Sequence, residues 1–439
     1  MPTAAAPHRP ATEPERTGPA PTEPDRTGSD GTGTDGTGPD GTGPDGMVPG
    51  RTHWLRVARE TADDLATDAV AREQAGKAPF DEVSRLREAG LLTLLAPAEL
   101  GGGGADWPTA YAVVREIAAA DGAIGQLLGC HTFLSWSARF LNEPALAALI
   151  DRRSAAEQWY WGGGLARQEP SPALTPTADG QVLDGRQSYV TGVLVADRIA
   201  VRAVRAETGE PVAVLVDPAA PGVRVDNDAE TFGQRLAAGG SVEFDAVPVA
   251  AGDVLGSLSA DEEVLSPRAA LMSPVGRLLS VQLQLGMADG VLAEARDYAR
   301  AGHAPWHPAW PVGSPHDPHV LTAFGELAVL VRAASALADQ ALAAVCAGLA
   351  RGDDLTFEEH AEIAVVVAMA EAAASRAAQE STARALDVVG ARSTSARLGL
   401  DRFWRNARTH TLYEPVAHRL RDVGDYFLNG AHPPFALPL

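Results

Sequence analysis

The chain is poor in cysteine, in basic charge and in long apolar runs, and each shortage removes a class of protein. Two cysteines in 439 residues, Cys130 and Cys346, cannot build a disulfide framework. Without a CxxC pair there is no structural-zinc signature, so both thiols read as small buried hydrophobes in a reducing compartment. The formal charge is −21, and the first fifty residues supply only −5 of it, eight acids against three arginines. The remainder is acidic in its own right and lacks the basic face of a nucleic-acid surface. No uninterrupted apolar run reaches the about 20 residues of a membrane helix. The N-terminus lacks the basic and apolar regions of a signal peptide. These shortages predict a cytoplasmic protein with neither nucleic acid nor membrane as partner.

Several catalytic signatures are missing as well. There is no GxSxG for a serine hydrolase, and no GxGxxG follows a strand at dinucleotide-binding spacing. The run Gly101–Gly104 has no GK[ST] after it and reads as a flexible loop rather than a phosphate cradle. His303, His307, His316 and His319 crowd a Pro/Trp-rich segment without the spacing of a zinc site, so no metal is expected. That segment is expected to lie over a pocket mouth.

What is present falls into blocks. Residues 1–49 are Pro, Gly, Thr and Asp, with four near-copies of a TGxDG pentad, and have too little to bury to offset ordering entropy. They are expected to be a disordered tail. Helical spacing then runs through Trp54, Leu55, Ala58 and Ala62 and through Val83 and Leu86, with Pro79 as a start and Gly90 as a stop. A further helix is predicted from Trp107 to Ala120. Beyond Gln158 the period shortens. Trp159–Gly162, Gln181–Gly185, Arg198–Val204, Val212–Val216 and Ser241–Phe244 read as strands of a small antiparallel sheet or barrel. Asp179-Gly180 and Asp184-Gly185 are turn dipeptides. After Pro267 long helices resume, one through Leu278 and Leu285, another through Leu321 to Ala341 ending near Gly352, and a third opened by a Thr356/Glu359 capping box. Ala-rich faces of this length suit a four-helix bundle. The expected blocks are a tail at 1–49, a helical domain at 50–157, a β domain at 158–258, a helical bundle at 259–430 and a tail at 431–439.

The richest chemistry lies near the C-terminus. Gly390-Ala-Arg-Ser-Thr-Ser joins Arg392 to Ser393, Thr394 and Ser395, a guanidinium and hydroxyl set able to hold a phosphate. Arg405-Asn-Ala-Arg-Thr-His410 then supplies an imidazole, and Tyr413-Glu414-Pro415 a carboxylate.

Three upstream passages join these motifs: Leu86-Arg-Glu-Ala-Gly-Leu-Leu with Pro97-Ala-Glu-Leu-Gly-Gly, Leu174 to Gly192, and Phe232-Gly-Gln-Arg to Val249. Taken together and in this order, they resemble the acyl-CoA dehydrogenase superfamily over about residues 52 to 430. The C-terminal motifs are similar to its flavin-dependent monooxygenase branch, typified by dibenzothiophene monooxygenase. The resemblance implies a mainly α fold, with an N-terminal helical domain, an antiparallel β-barrel domain and a C-terminal four-helix bundle. It also implies reduced FMN supplied by a separate flavin reductase, with FAD as the alternative. Oxygen would then form a C4a-(hydro)peroxyflavin that oxygenates sulfur, nitrogen or an activated carbon of a small molecule. His131 and His410 are the implied donors, Thr191 the hydroxyl facing the flavin ring, and Gly163 and Gly164 the strand beside it. The turn from Arg392 to Ser395 would hold the phosphate of a neighbouring subunit's flavin, which implies a homotetramer or homodimer. Half of a dehydrogenase Tyr-Glu-Gly-Thr motif survives at Tyr413-Glu414, so an acyl-CoA dehydrogenase with Glu414 as base is the second reading. The chain departs from the branch at Gly162–Gly164, Ala229, Ala304 and Tyr413, where asparagine, tryptophan, arginine and histidine are usual.

Overall fold

A computed structural model describes residues 49–178, 180–261, 265–301 and 315–433. The pentad-bearing N-terminal segment, Asp179, Ala304, His303 and His307 lie outside the described residues. Five helices come first, α1 (Arg51–Ala75), α2 (Phe80–Glu88), α3 (Trp107–Ala120), α4 (Gly122–Leu141) and α5 (Pro144–Glu157). Their ends are written in the sequence. The Asp106 carboxylate accepts the Thr109 N–H at 2.9 Å to open α3. Asp121 closes that helix and opens the next, accepting from Ala123 and Ile124. The predicted bounds of α3, Trp107 and Ala120, are those observed.

The glycine run Gly101–Gly104, expected to be a flexible loop, is packed instead. The N–H groups of Gly102, Gly103 and Gly104 donate to Pro97, Thr93 and Ala96 at 2.8–3.0 Å. A Cβ on Gly103 would sit 2.7 Å from the Trp54 ring, so only glycine fits between the turn and α1.

Eight strands follow, β1 (Trp161–Gly164), β2 (Ala173–Thr177), β3 (Gly180–Val190), β4 (Arg198–Arg205), β5 (Pro211–Val216), β6 (Val223–Asp226), β7 (Gly240–Val249) and β8 (Val254–Ser257). They form one sheet in the order β6-β7-β3-β2-β4-β5-β8, with β1 also on β4. The sheet is mixed rather than antiparallel throughout, because β1 and β2 both run parallel to β4, at its start and its end. Strand β3 shifts register between Gln187 and Val190, where Tyr189 takes φ +53°.

The remaining helices are α6 (Pro267–Ala270), α7 (Met272–Arg300), α8 (Pro318–Arg351), α9 (Phe357–Val389), α10 (Asp401–Tyr413) and α11 (Val416–Asn429). The capping box at Thr356 and Glu359 is formed, and Gly352 ends α8. Helix α7 is the hub, packed on α3, α4, α8 and α9. Its glycines make this possible: a Cβ on Gly286 or Gly290 would lie 2.4 or 2.0 Å from a carbonyl of α3. Helix α8 behaves differently. It has the length and hydropathy of a membrane span, with a mean of 1.6 and only 22% of that window buried. Glu326, Arg332 and Asp339 interrupt it.

Candidate active site

A cavity of about 730 Å³ lies where α4, α7 and α10 meet the sheet. Phe133, Leu134, Leu165, Leu194, Leu279 and Leu283 give it apolar walls. Ligand pockets of this size and lining hold molecules of several rings. Two sequence motifs far apart in the chain build its floor. The turn at Phe232-Gly-Gln-Arg docks on α10, with the Gln234 N–H donating to Asn406 Oδ1 at 2.7 Å and Arg405 Nη1 donating to the Phe232 carbonyl at 3.0 Å. A Cβ on Gly233 would meet the Arg405 carbonyl at 2.0 Å, so this docking depends on glycine.

Thr191, Gly163, Gly164 and His410 all line the cavity. Gly163 donates its N–H to the Thr191 carbonyl at 2.8 Å, which pins β1 to the end of β3. At φ +144° its Cβ would lie 2.1 Å from the Ala200 carbonyl. Ala229 also lines the cavity.

His131 does not line the cavity. It is 1% exposed inside α4, its Nε2–H donates to the Leu92 carbonyl at 2.7 Å, and its Nδ1 accepts the Trp161 N–H at 3.0 Å. Both nitrogens are spent on backbone groups, which leaves neither for the donor role expected of His131 in this structure. Burial pushes its pKa down to about 4.

His410 is also pushed down to about 4 by burial, but it keeps a face on the cavity. Its Nδ1 lies 3.2 Å from Gln126 Oε1. Gln126 is also the neighbour that partly offsets the upward push of burial on the Tyr413 phenol. Gln126 went unnoticed in the sequence, because α4 and α10 are 284 residues apart at this contact.

Glu414 turns away from the main cavity into a side recess of about 30 Å³. Arg277 Nη1 and Arg419 Nη2 donate to its carboxylate at 2.6 and 2.5 Å. Burial alone would raise its carboxyl, but the two arginines outweigh it and hold the group below the ordinary carboxylate range. A carboxylate so clamped is a poor base, which removes the geometry needed for Glu414 as a proton abstractor.

Arg392 to Ser395 form a tight turn after α9, with Arg392 and Thr394 exposed and Ser393 buried. None of the four lines the cavity of its own chain. Three other cations do: Lys77, the only lysine in the sequence, Arg186, which is paired with Asp228, and Arg235, which reaches the Glu73 carbonyl rather than a carboxylate. Cys130 also faces the cavity, its thiol pushed up to about 12 by burial and therefore inert.

A flavin fits this donor set. The buried Gln234 Oε1 has no partner among the described residues and lines the cavity, an acceptor suited to the N–H of a flavin pyrimidine ring. Thr191 lines the cavity on the sheet side and carries a hydroxyl able to donate. Among the described residues no three His, Cys, Asp or Glu side chains converge on a metal position.

Comparison with known proteins agrees with this geometry. Residues 53–143 match the acyl-CoA dehydrogenase N-terminal domain, and residues 278–417 match the C-terminal domain. Dibenzothiophene monooxygenase of Mycolicibacterium goodii is 36% identical over 392 residues, covering 86% of this chain and 94% of its own. A probable FMNH2-dependent monooxygenase, SfnC of Pseudomonas putida, is 33% identical, covering 86% and 95%. The FMN-bound crystal structure of TdsC from Paenibacillus sp. A11-2 superposes with a TM-score of 0.83 at 34% identity, over 87% of this chain and 98% of that one. The chain belongs to the acyl-CoA dehydrogenase superfamily, in its flavin-dependent monooxygenase branch.

Proposed function

We propose that this chain is the oxygenase of a two-component system. It takes reduced FMN from a separate flavin reductase, together with O2, and oxygenates the sulfur of a small organic molecule. The observation that carries this reading is one apolar cavity bounded by Gly163, Gly164 and Thr191 on the sheet and by His410 and Tyr413 on α10. The relatives named for dibenzothiophene and for FMNH2 support the cofactor and the sulfur chemistry.

Reduced FMN, when bound, supplies the two electrons that split O2, one oxygen atom passing to substrate and the other to water. The chain holds and shields that chemistry. Thr191 and Gln234 would hold the ring, and the glycine strand would let backbone approach it. Leu279, Leu283 and Phe133 exclude water, which strengthens every hydrogen bond inside. Lys77 and Arg235 suit an anionic group at the mouth.

A homotetramer is the proposed assembly, with a dimer as the smaller alternative. The support is the apolar outward face of α8, Phe427 and Leu428 exposed at 87% and 79% on α11, and the Arg392–Ser395 turn lying away from its own cavity. The unpaired thiols of Cys130 and Cys346 favour a cytoplasmic setting.

Purified protein with a flavin reductase is expected to consume O2 in step with sulfoxide or sulfone formation. Oxygen use that yields only hydrogen peroxide for every sulfur compound would overturn the proposal. In the same assay Glu414→Gln is expected to keep turnover per folded molecule within about threefold of the parent. A complete loss, with FAD bound and an acyl thioester as substrate, would revive the dehydrogenase reading.

A further inference from the structure

The carboxamide of Gln126 stands between two cavity-lining groups that both exchange protons. It is 7% exposed on α4, and it meets His410 and Tyr413, three residues apart on α10. A carboxamide has one accepting oxygen and one donating nitrogen, so it cannot treat two neighbours alike.

We propose that Gln126 is a positioning residue that assigns opposite hydrogen-bond roles to His410 and Tyr413. Its Oε1 accepts the His410 Nδ1–H, and its amide donates to the Tyr413 oxygen. That leaves His410 Nε2 as a bare acceptor and the Tyr413 O–H as the donor into the cavity. The inference rests on the oxygenase reading only for what that donor does.

The geometry carries the His410 half, and the Tyr413 half follows from the single donor the carboxamide has left. With Oε1 3.2 Å from Nδ1, the proton between them must sit on the ring, because a carbonyl oxygen cannot donate. That fixes one tautomer of a neutral imidazole. The charged groups nearby do not upset it. At the end of α10 these are Tyr413 and Glu414; α9 brings Glu371, α7 brings Arg277 and α11 brings Arg419, and Lys77, Arg186 and Arg235 line the same cavity. Both carboxylates are held by Arg277 and Arg419 rather than turned on the imidazole. Burial is the cause of the low His410 pKa, which agrees with a balanced surrounding. Tyr413 stands where the branch usually has histidine, so the donor of this chain is a phenol that stays protonated across the physiological range.

Imidazole-nitrogen NMR of the full, flavin-free chain tests the assignment, with the His410 signals identified by their loss in His410→Gln. The expected pattern is a protonated Nδ1 and a bare Nε2. The opposite tautomer would mean that the carboxamide is turned round, and would overturn the proposal. Gln126→Glu keeps the reach but adds a charge, and should raise the His410 pKa by at least one unit, a tenfold rise in proton affinity. An unmoved pKa would show that residue 126 does not govern the ring. Tyr413→Phe, checked for native circular dichroism, should lower product formed per O2 consumed by about tenfold while leaving the His410 tautomer unchanged. Unchanged coupling would overturn the donor role of Tyr413. The NMR arm needs no flavin, so its failure is separable from a failure of the oxygenase reading.

Discussion

His131 on α4 and His410 on α10 are both pressed by burial to a pKa of about 4, yet they do different work. His131 is bonded at both nitrogens, to the Leu92 carbonyl and the Trp161 N–H, and ties a turn to the first strand. His410 is bonded at one nitrogen, to a side chain, and presents its remaining face to the cavity. A depressed pKa therefore marks burial, not catalysis. What separates the two rings is whether a nitrogen is left over, and substitution at each site should break along that line.

The largest effect is expected on stability, at His131. Leucine there keeps most of the volume but leaves a buried N–H and a buried carbonyl without partners, at about 2 kcal/mol each, so His131→Leu should cost about 4 kcal/mol. Turnover per folded molecule should hardly change. Denaturant unfolding with an activity assay on the surviving fraction measures both, and a stable but inactive variant would return His131 to the catalytic set.

Acid sharpens the same point. The folded His131 pKa lies below the unfolded value of about 6.5. Its contribution is therefore fully present above pH 6.5 and is lost as pH falls toward 4, because the unfolded chain takes up the proton first. A shift of about 2.5 units corresponds to about 3 kcal/mol. Unfolding curves at pH 7 and pH 4 should show this slope in the parent and a slope smaller by about 3 kcal/mol in His131→Gln, whose amide can serve both backbone groups while His410 keeps its own share.

At His410 the expectation reverses. His410→Gln should cost about a hundredfold in product formation, about 2.7 kcal/mol, with the midpoint of unfolding nearly unmoved. Equal losses of activity at residues 131 and 410 would erase the difference between the two rings.

How much of this was readable in the sequence follows from the range of the interactions involved. The bounds of α3 and the capping box of α9 depend on residues three or four positions apart, and both were legible. Five strands were legible from their period, but the parallel pairing of β1 and β2 with β4 was not, since strand direction is set by long-range register. Thr191 and His410 came through on motifs, and the fold brings them to one cavity. The two hydrogen bonds of His131 are not legible for a physical reason: its partners lie 39 and 30 residues away, and nothing local distinguishes a spent imidazole from an available one. Gln126 carries no motif at all. The glycine run Gly101–Gly104 misled in the opposite sense, because glycine signals close packing as readily as freedom.

The smallest expected effect probes the cavity wall instead of its proton chemistry. Ala229 lines the cavity with a single methyl group, and Gly239 approaches it closely enough that an added Cβ there would sit 3.5 Å away. Ala229→Trp should place a ring on that wall and narrow the space for substrate while leaving Gln126, His410 and Tyr413 unchanged. The change acts through shape, and a hydrophobic pocket discriminates by about 1–3 kcal/mol for small changes of volume. The expected result is a shift of about tenfold in the ratio of kcat/KM for a tricyclic over a small dialkyl sulfide, in favour of the small one. The His410 tautomer seen by NMR should stay as in the parent. A variant that loses both substrates equally would show that Ala229 faces the flavin rather than the substrate, and would move the substrate end of the cavity toward Phe133 and Leu283.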